Sequence, residues 1–152
     1  MQEMIRTIIV YVVIIGLILG GFYLFKNNRY SVEIGVMDRF MTPDFPAGSY
    51  IIDASAPIQV NDAVAFALSD KPDELKVARV VALSGAKIEI EATGVVKVNG
   101  TLNVHKTDPR AAAVEFRVPQ GCVFLLTDQE GGVDSSKLGP IAMLQIVGKL
   151  KQ

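Results

Sequence analysis

Residues 76–104, KVARVVALSGAKIEIEATGVVKVNGTLNV, decide the fold. Lys76–Leu83 is rich in β-branched residues, and Ser84-Gly85 interrupts it. Lys87-Ile88-Glu89-Ile90-Glu91 then alternates charged with apolar residues, the period of a half-buried strand. Val95–Val98 and Thr101–Val104 flank Asn99-Gly100. That pair predicts a hairpin, because a type I′ turn needs positive φ at both central positions. Working outward, Ser49–Asp53 follows a Pro46-Ala47-Gly48 turn, and Asp62–Leu68 (DAVAFAL) reads as another strand. Gly121–Thr127 reads as a short buried strand and Ala142–Leu150 as the last, while Asp108–Arg117 is less regular. No helical pattern stands out beyond the N-terminal segment. The expectation is a mostly β domain, a folded antiparallel sheet or partial barrel.

The N-terminal segment is of another kind. From Thr7 to Phe25 the run TIIVYVVIIGLILGGFYLF carries no charge. About 20 helical residues cross a hydrocarbon core of roughly 30 Å. Tyr11, Phe22, Tyr23 and Phe25 supply aromatics suited to the membrane interfaces. A cleaved signal peptide has a shorter apolar core and a small-residue cleavage site. Here the run ends in Phe25-Lys26-Asn27-Asn28-Arg29, so it reads as an uncleaved anchor. The chain divides into a short tail (1–6), a transmembrane anchor (7–25), a juxtamembrane linker (26–35) and a β domain (36–152). Arg6 before the span nearly balances Lys26 and Arg29 after it, so charge alone does not orient it.

Beyond residue 29 there are 12 basic against 15 acidic residues, and no basic patch points to nucleic acid. Cys122 is the lone cysteine, which excludes an intrachain disulfide, and its apolar neighbours mark it as a small buried hydrophobe. The single His105 makes neither a metal site nor a triad and reads as a solvated loop residue.

Several short boxes share an order. From Phe40 the chain runs Phe-Met-Thr-Pro-Asp-Phe-Pro-Ala-Gly-Ser-Tyr-Ile-Ile. Ala78-Arg79-Val80-Val81-Ala82-Leu83-Ser84-Gly85 follows, then Val96-Lys97-Val98-Asn99-Gly100, then Asp134-Ser135-Ser136-Lys137-Leu138-Gly139 and Ile146-Val147-Gly148-Lys149. In this order, behind an N-terminal span, they resemble the type I signal peptidase family over nearly the whole chain. Met41, Pro43, Phe45 and Gly48 fit its nucleophile box, with Phe40 where the serine stands. Arg79, Val80, Val81, Leu83 and Gly85 fit its lysine box, with Ala78 where the base stands. Residues 42–50 also resemble the related conjugative-transfer peptidases, and in that register Asp44 replaces the nucleophile.

The resemblance implies a serine attacking a carbonyl while a neutral lysine takes its proton, a lysine that burial must keep deprotonated. Neither Phe40 nor Asp44 is that serine, and Ala78 is no base. A catalytically inactive member follows, with no cofactor and no metal. It is similar to the signal-peptidase-like proteins without the catalytic pair that serve pilus assembly in Gram-positive bacteria. Its implied partners are a pilin or another exported polypeptide, and a sortase. The implied location is the cell membrane, single-pass, with the C-terminal domain outside the cytoplasm. The old substrate groove, near residues 40–50 and 78–85, would hold an extended peptide by strand addition. Phe40, Met41, Pro43, Asp44, Ala78 and Arg79 are its candidate residues, with Gly85, Asp134 and Ser135 as structural support. Two alternatives stand beside this. One is an active membrane serine peptidase, of signal-peptidase or conjugative-transfer type, with a relocated dyad. Lys76, on the Ala78 face of its strand, would then pair with Thr42 or Ser49. The other is a structural module of an envelope complex with no peptide in the groove.

Overall fold

The periodicity of the central strands sets the architecture. A computed structural model of the chain describes residues 2–26, 30–35 and 40–151. Helix α1 (Gln2–Lys26) covers the apolar N-terminal run. Strands β1 (Tyr30–Ile34), β2 (Gly48–Asp53), β3 (Ala63–Ala67) and β4 (Leu75–Ala82) follow. After them come β5 (Lys87–Ile90), β6 (Val96–Val98), β7 (Thr101–Leu102), β8 (Val114–Arg117) and β9 (Cys122–Leu126). A one-turn helix α2 (Ser135–Leu138), then β10 (Ile141–Ala142), a 3-10 turn and β11 (Ile146–Lys151) complete the chain.

The strands form two antiparallel sheets. The larger has seven strands in the order β1-β2-β11-β3-β4-β9-β10, and the smaller has four in the order β7-β6-β5-β8. Asn99 and Gly100, both at positive φ, close the β6–β7 hairpin as the sequence predicts.

Alternation along β4 and β9 divides the core. Ala78 and Val80 point with Val64, Phe66, Val123, Leu125 and Ile141 into one cluster. Leu75 and Val77 pack on a second, made of Val32, Ile34, Met41, Phe45, Ile52, Ala63, Ala65 and Leu150. A register shift between Val80 and Ala82 turns the end of β4 toward a third. There Val81, Ala82, Phe124 and Leu126 meet Ile88, Ile90 and Val96 of the smaller sheet. One strand thus serves both sheets. Ile141 and Ile146, on either side of the 3-10 turn, share a cluster with residues of β3, β4 and β9. The end strands of the larger sheet stay apart in the pairing order.

Three differences from the sequence reading have plain causes. Residues 30–34, expected within the linker, form β1 and pair with β2, burying Val32 and Ile34 at period two. Val114–Arg117, read as irregular, is an end strand with one neighbour, so it needs no continuous apolar face. Residues 135–138 form one helical turn, capped by the Asp134 carboxylate on the Ser136 amide.

On α1 the described side chains are Arg6 and residues 9–20, all exposed. Among the described residues no helix is long and apolar enough to cross a membrane. The side chains of Phe22, Tyr23 and Phe25, read as interfacial aromatics, lie outside the described residues.

Candidate functional site

The loop 40–47 joins the sheet beside the turn 127–133. Met41 and Phe45 are apolar enough to root it, and both sink into the cluster beneath β1 and β3. The Phe45 amide donates to the Met41 carbonyl at 2.9 Å, closing a turn around the cis Thr42–Pro43 bond. Gln129 ties the loop down from outside. Its backbone amide donates to the Phe40 carbonyl at 2.8 Å. Its side-chain Nε2 donates to the Thr42 carbonyl at 3.2 Å and to Thr42 Oγ1 at 2.5 Å.

Arg79 supplies the charge. Its Nε and Nη2 donate to both oxygens of Asp128, at 2.7 and 2.6 Å, the two-pronged geometry of a strong guanidinium–carboxylate pair. Nη2 also reaches Asp44 at 3.0 Å, and Nη1 donates to the Asn61 carbonyl at 2.9 Å. Hydrogen bonding to Asp128 outweighs partial burial and raises the guanidinium above its ordinary pKa. His105 joins this group, with Nδ1 3.5 Å from Asp128 Oδ1 and a side chain 15% exposed. That corrects its reading as a solvated residue. Nothing local in the sequence signals it, since the contact is made across the fold.

The segment after β9 is braced from within. Asp134 accepts the Thr127 amide on Oδ2 at 3.0 Å, and the Ser136 amide and hydroxyl on Oδ1 at 2.9 and 2.6 Å. The Ser135 hydroxyl accepts the Leu125 amide at 2.9 Å. The buried Thr127 hydroxyl lies 2.8 Å from the Gln129 carbonyl and 3.0 Å from Asp134. Gly132 has no room for a side chain, because a Cβ there would stand 2.5 Å from Thr127 Oγ1.

These elements frame a small cleft of about 40 Å³, lined by residues 32–34 of β1, Leu75–Val77 of β4, Phe40, Thr127 and Val133. β1 is the end strand of its sheet. β9 flanks β4 only from Arg79, opposite Leu126, onward. The cleft therefore lies between an end strand and the part of β4 that β9 does not reach.

The expected site residues fall on different sides of this arrangement. Phe40 lines the cleft, and Met41 is buried beneath it. Pro43 is exposed on the loop. Asp44 and Arg79 face a separate polar hollow with Asn61, Asp62, Lys149 and Lys151. Ala78 is fully buried in the cluster on the opposite face of β4. Gly85, at φ +85, turns the chain from β4 into β5, and its amide donates to Val118 at 2.8 Å. The groove expected along residues 78–85 is occupied by β9, so the accessible cleft is displaced toward Leu75–Val77. Of the alternative dyad, Lys76 lines the cleft and its ammonium lies 2.9 Å from Glu74, while Thr42 Oγ1 accepts from Gln129. Ser49 is exposed on β2 opposite Glu33. Among the described residues no cluster of His, Cys, Asp and Glu is arranged to hold a metal ion.

Compared with known protein families, the chain matches over residues 1–152 the one described as signal peptidase, peptidase S26. Among solved structures it is similar to a signal peptidase I from Enterococcus faecalis. The TM-score is 0.51 at 20% identity, with 63% of this chain and 98% of that one covered. At that identity the likeness bears on fold alone. No curated protein matches.

Proposed function

The chain belongs to the signal peptidase, peptidase S26 family, and from that premise we propose that it is a membrane-anchored member that holds an exported polypeptide without cutting it. One observation carries the reading. Both positions that resemble the dyad are hydrocarbon, and Ala78 is enclosed by Val64, Phe66, Val80 and Leu125. A lysine base needs a hydroxyl within hydrogen-bond reach, and members of a dyad fail together when one is lost.

The cleft supports the binding half of the proposal. An extended chain entering between β1 and Leu75–Val77 would be added as a strand, with backbone hydrogen bonds giving affinity and the apolar lining giving preference. The polypeptide of choice is a pilin or another exported chain, handed to a sortase during assembly at the cell surface. Anchoring rests on α1. Its 25 residues exceed the length of a hydrocarbon core, and its described apolar side chains, from Ile9 to Leu19, are exposed all round. A helix apolar on every side is stable only when buried in protein or lipid.

The test uses the full chain in liposomes with a pilin precursor. Crosslinking of the precursor to the cleft without a cleaved product is the expected result. The active alternative, with Lys76 as a relocated base, is read in the same assay. A cleaved product that disappears in Lys76→Ala would establish that alternative. Absence of any crosslink would leave a purely structural module.

A further inference from the structure

We infer that β8 is the surface through which two copies of this chain associate, each adding its end strand to the other's smaller sheet. Among the described strands β8 pairs with β5 alone, at the end of the order β7-β6-β5-β8. In an antiparallel pair every second residue exchanges both backbone bonds with its partner, and the residues between turn theirs the other way. The Val118 amide donates to the Ala86 carbonyl at 2.9 Å, and the Val118 carbonyl accepts the Gly85 amide at 2.8 Å. Lys87 turns its carbonyl away from β8, to the Asn99 amide at 2.8 Å. With Ile88 opposite Phe116, this phase points the backbone groups of Val114 and Phe116 toward β5. Those of Glu115 and Arg117 therefore face the open edge. The β5–β8 register has no bulge, and no proline interrupts the strand, so the edge can accept a further strand.

The charges select what that strand is. A second β8 added antiparallel must bond through Glu115 and Arg117 of both copies. Two of the possible registers set Glu115 opposite Glu115, or Arg117 opposite Arg117. The third is centred on Phe116 and sets each Glu115 opposite the Arg117 of the other copy, twice by symmetry. Opposite charges directly across a strand pair attract and like charges repel, so the third register is favoured. Both side chains are available on the solvent face. Glu115 is 63% exposed while meeting Lys87 at 3.0 Å, and Arg117 Nη1 donates to the Gly85 carbonyl at 3.1 Å. On the core face Phe116 would meet Phe116 at the two-fold axis. Val114, 39% exposed, and Phe116 border a hollow with Ile90 and Pro140, which the second strand's apolar side chains would cover. The contact is isologous and closes at two copies.

The test is charge reversal, read by sedimentation velocity of the full chain in detergent. The native chain should sediment as a dimer that dissociates on dilution. Glu115→Arg and Arg117→Glu should each weaken the dimer about tenfold or more, since one sign then faces itself across the edge. The double variant Glu115→Arg/Arg117→Glu should recover it. An equimolar mixture of the two single variants should recover it too, because one copy then carries two arginines and the other two glutamates. Recovery in the mixture shows that both variants fold and that the added strand is β8 itself. A native chain that stays monomeric overturns the inference. A dimer whose affinity neither single variant changes also overturns it and places self-association on another element. Loss in both single variants with no recovery in the mixture overturns it as well, since pairing in this register requires that rescue.

Discussion

Arg79 holds two carboxylates of very different exposure, Asp128 at 9% and Asp44 at 55%. Their worth should differ accordingly. Asp128→Ala leaves a guanidinium short of its main partner in a mostly buried place and should cost about 3 kcal/mol in denaturant unfolding. Asp44→Ala should cost about 1 kcal/mol or less, because an exposed ion pair is screened by water. Ala78 makes the contrary case. Ala78→Lys places an ammonium among Val64, Phe66 and Leu125, which should destabilise by about 3–5 kcal/mol and pull the lysine pKa down. The double variant Phe40→Ser/Ala78→Lys should show no cleavage of a precursor, since Phe40 lines the cleft and Ala78 points to the other face of β4. Recovered cleavage would mean that β4 repacks. None of this facing is legible in the motif. The boxes supply residue types, while the face each shows depends on the β4 register and its shift at Val80/Ala82.

Among the elements, the central strands and the Asn99-Gly100 hairpin were readable because apolar period and turn chemistry are local properties. β1 and β8 escaped, as end strands whose single partner is distant in sequence. The segment 127–135 shows how a loop can be as specified as a strand. Asp134, Ser135 and Thr127 satisfy one another, and Gly132 leaves space for Thr127. Gly132→Ala should therefore unfold at markedly lower temperature than Gly100→Ser, whose Cβ would meet nothing within 4 Å despite its positive φ. Circular-dichroism melts of the two variants compare them directly.

At the scale of the whole molecule, the surface is laced with ion pairs. Hydrogen bonds from Lys76 and Lys97 lower the pKa values of Glu74 and Glu91, and glutamates raise those of Lys87 and Lys97. A depressed carboxylate stabilises the fold above its ordinary pKa, and that contribution fades as pH falls through the lowered value. The raised lysines contribute fully below their ordinary pKa and lose it as pH climbs through the raised one. The thermal midpoint should thus be flat near neutrality and fall below about pH 4.5 and above about pH 10.5. Added salt should flatten both shoulders, because these pairs are exposed. For the anchor, the expectation is that the full chain sediments with membranes and is released by detergent and not by salt. A chain lacking residues 2–26 should stay in the supernatant.

Residue order alone carries the β character, the strand limits in the centre of the chain, the order of the family boxes and the lack of serine and lysine at two of them. Each of these is a matter of local periodicity or residue identity. The folded chain adds that Phe40 and Ala78 lie on different sides of β4, that Arg79 gathers Asp128 and Asp44 while His105 meets Asp128, and that the open cleft borders Leu75–Val77 and not residues 78–85. Those facts depend on which strands pair and where a register shifts, and pairing is set by contacts between residues far apart in the chain.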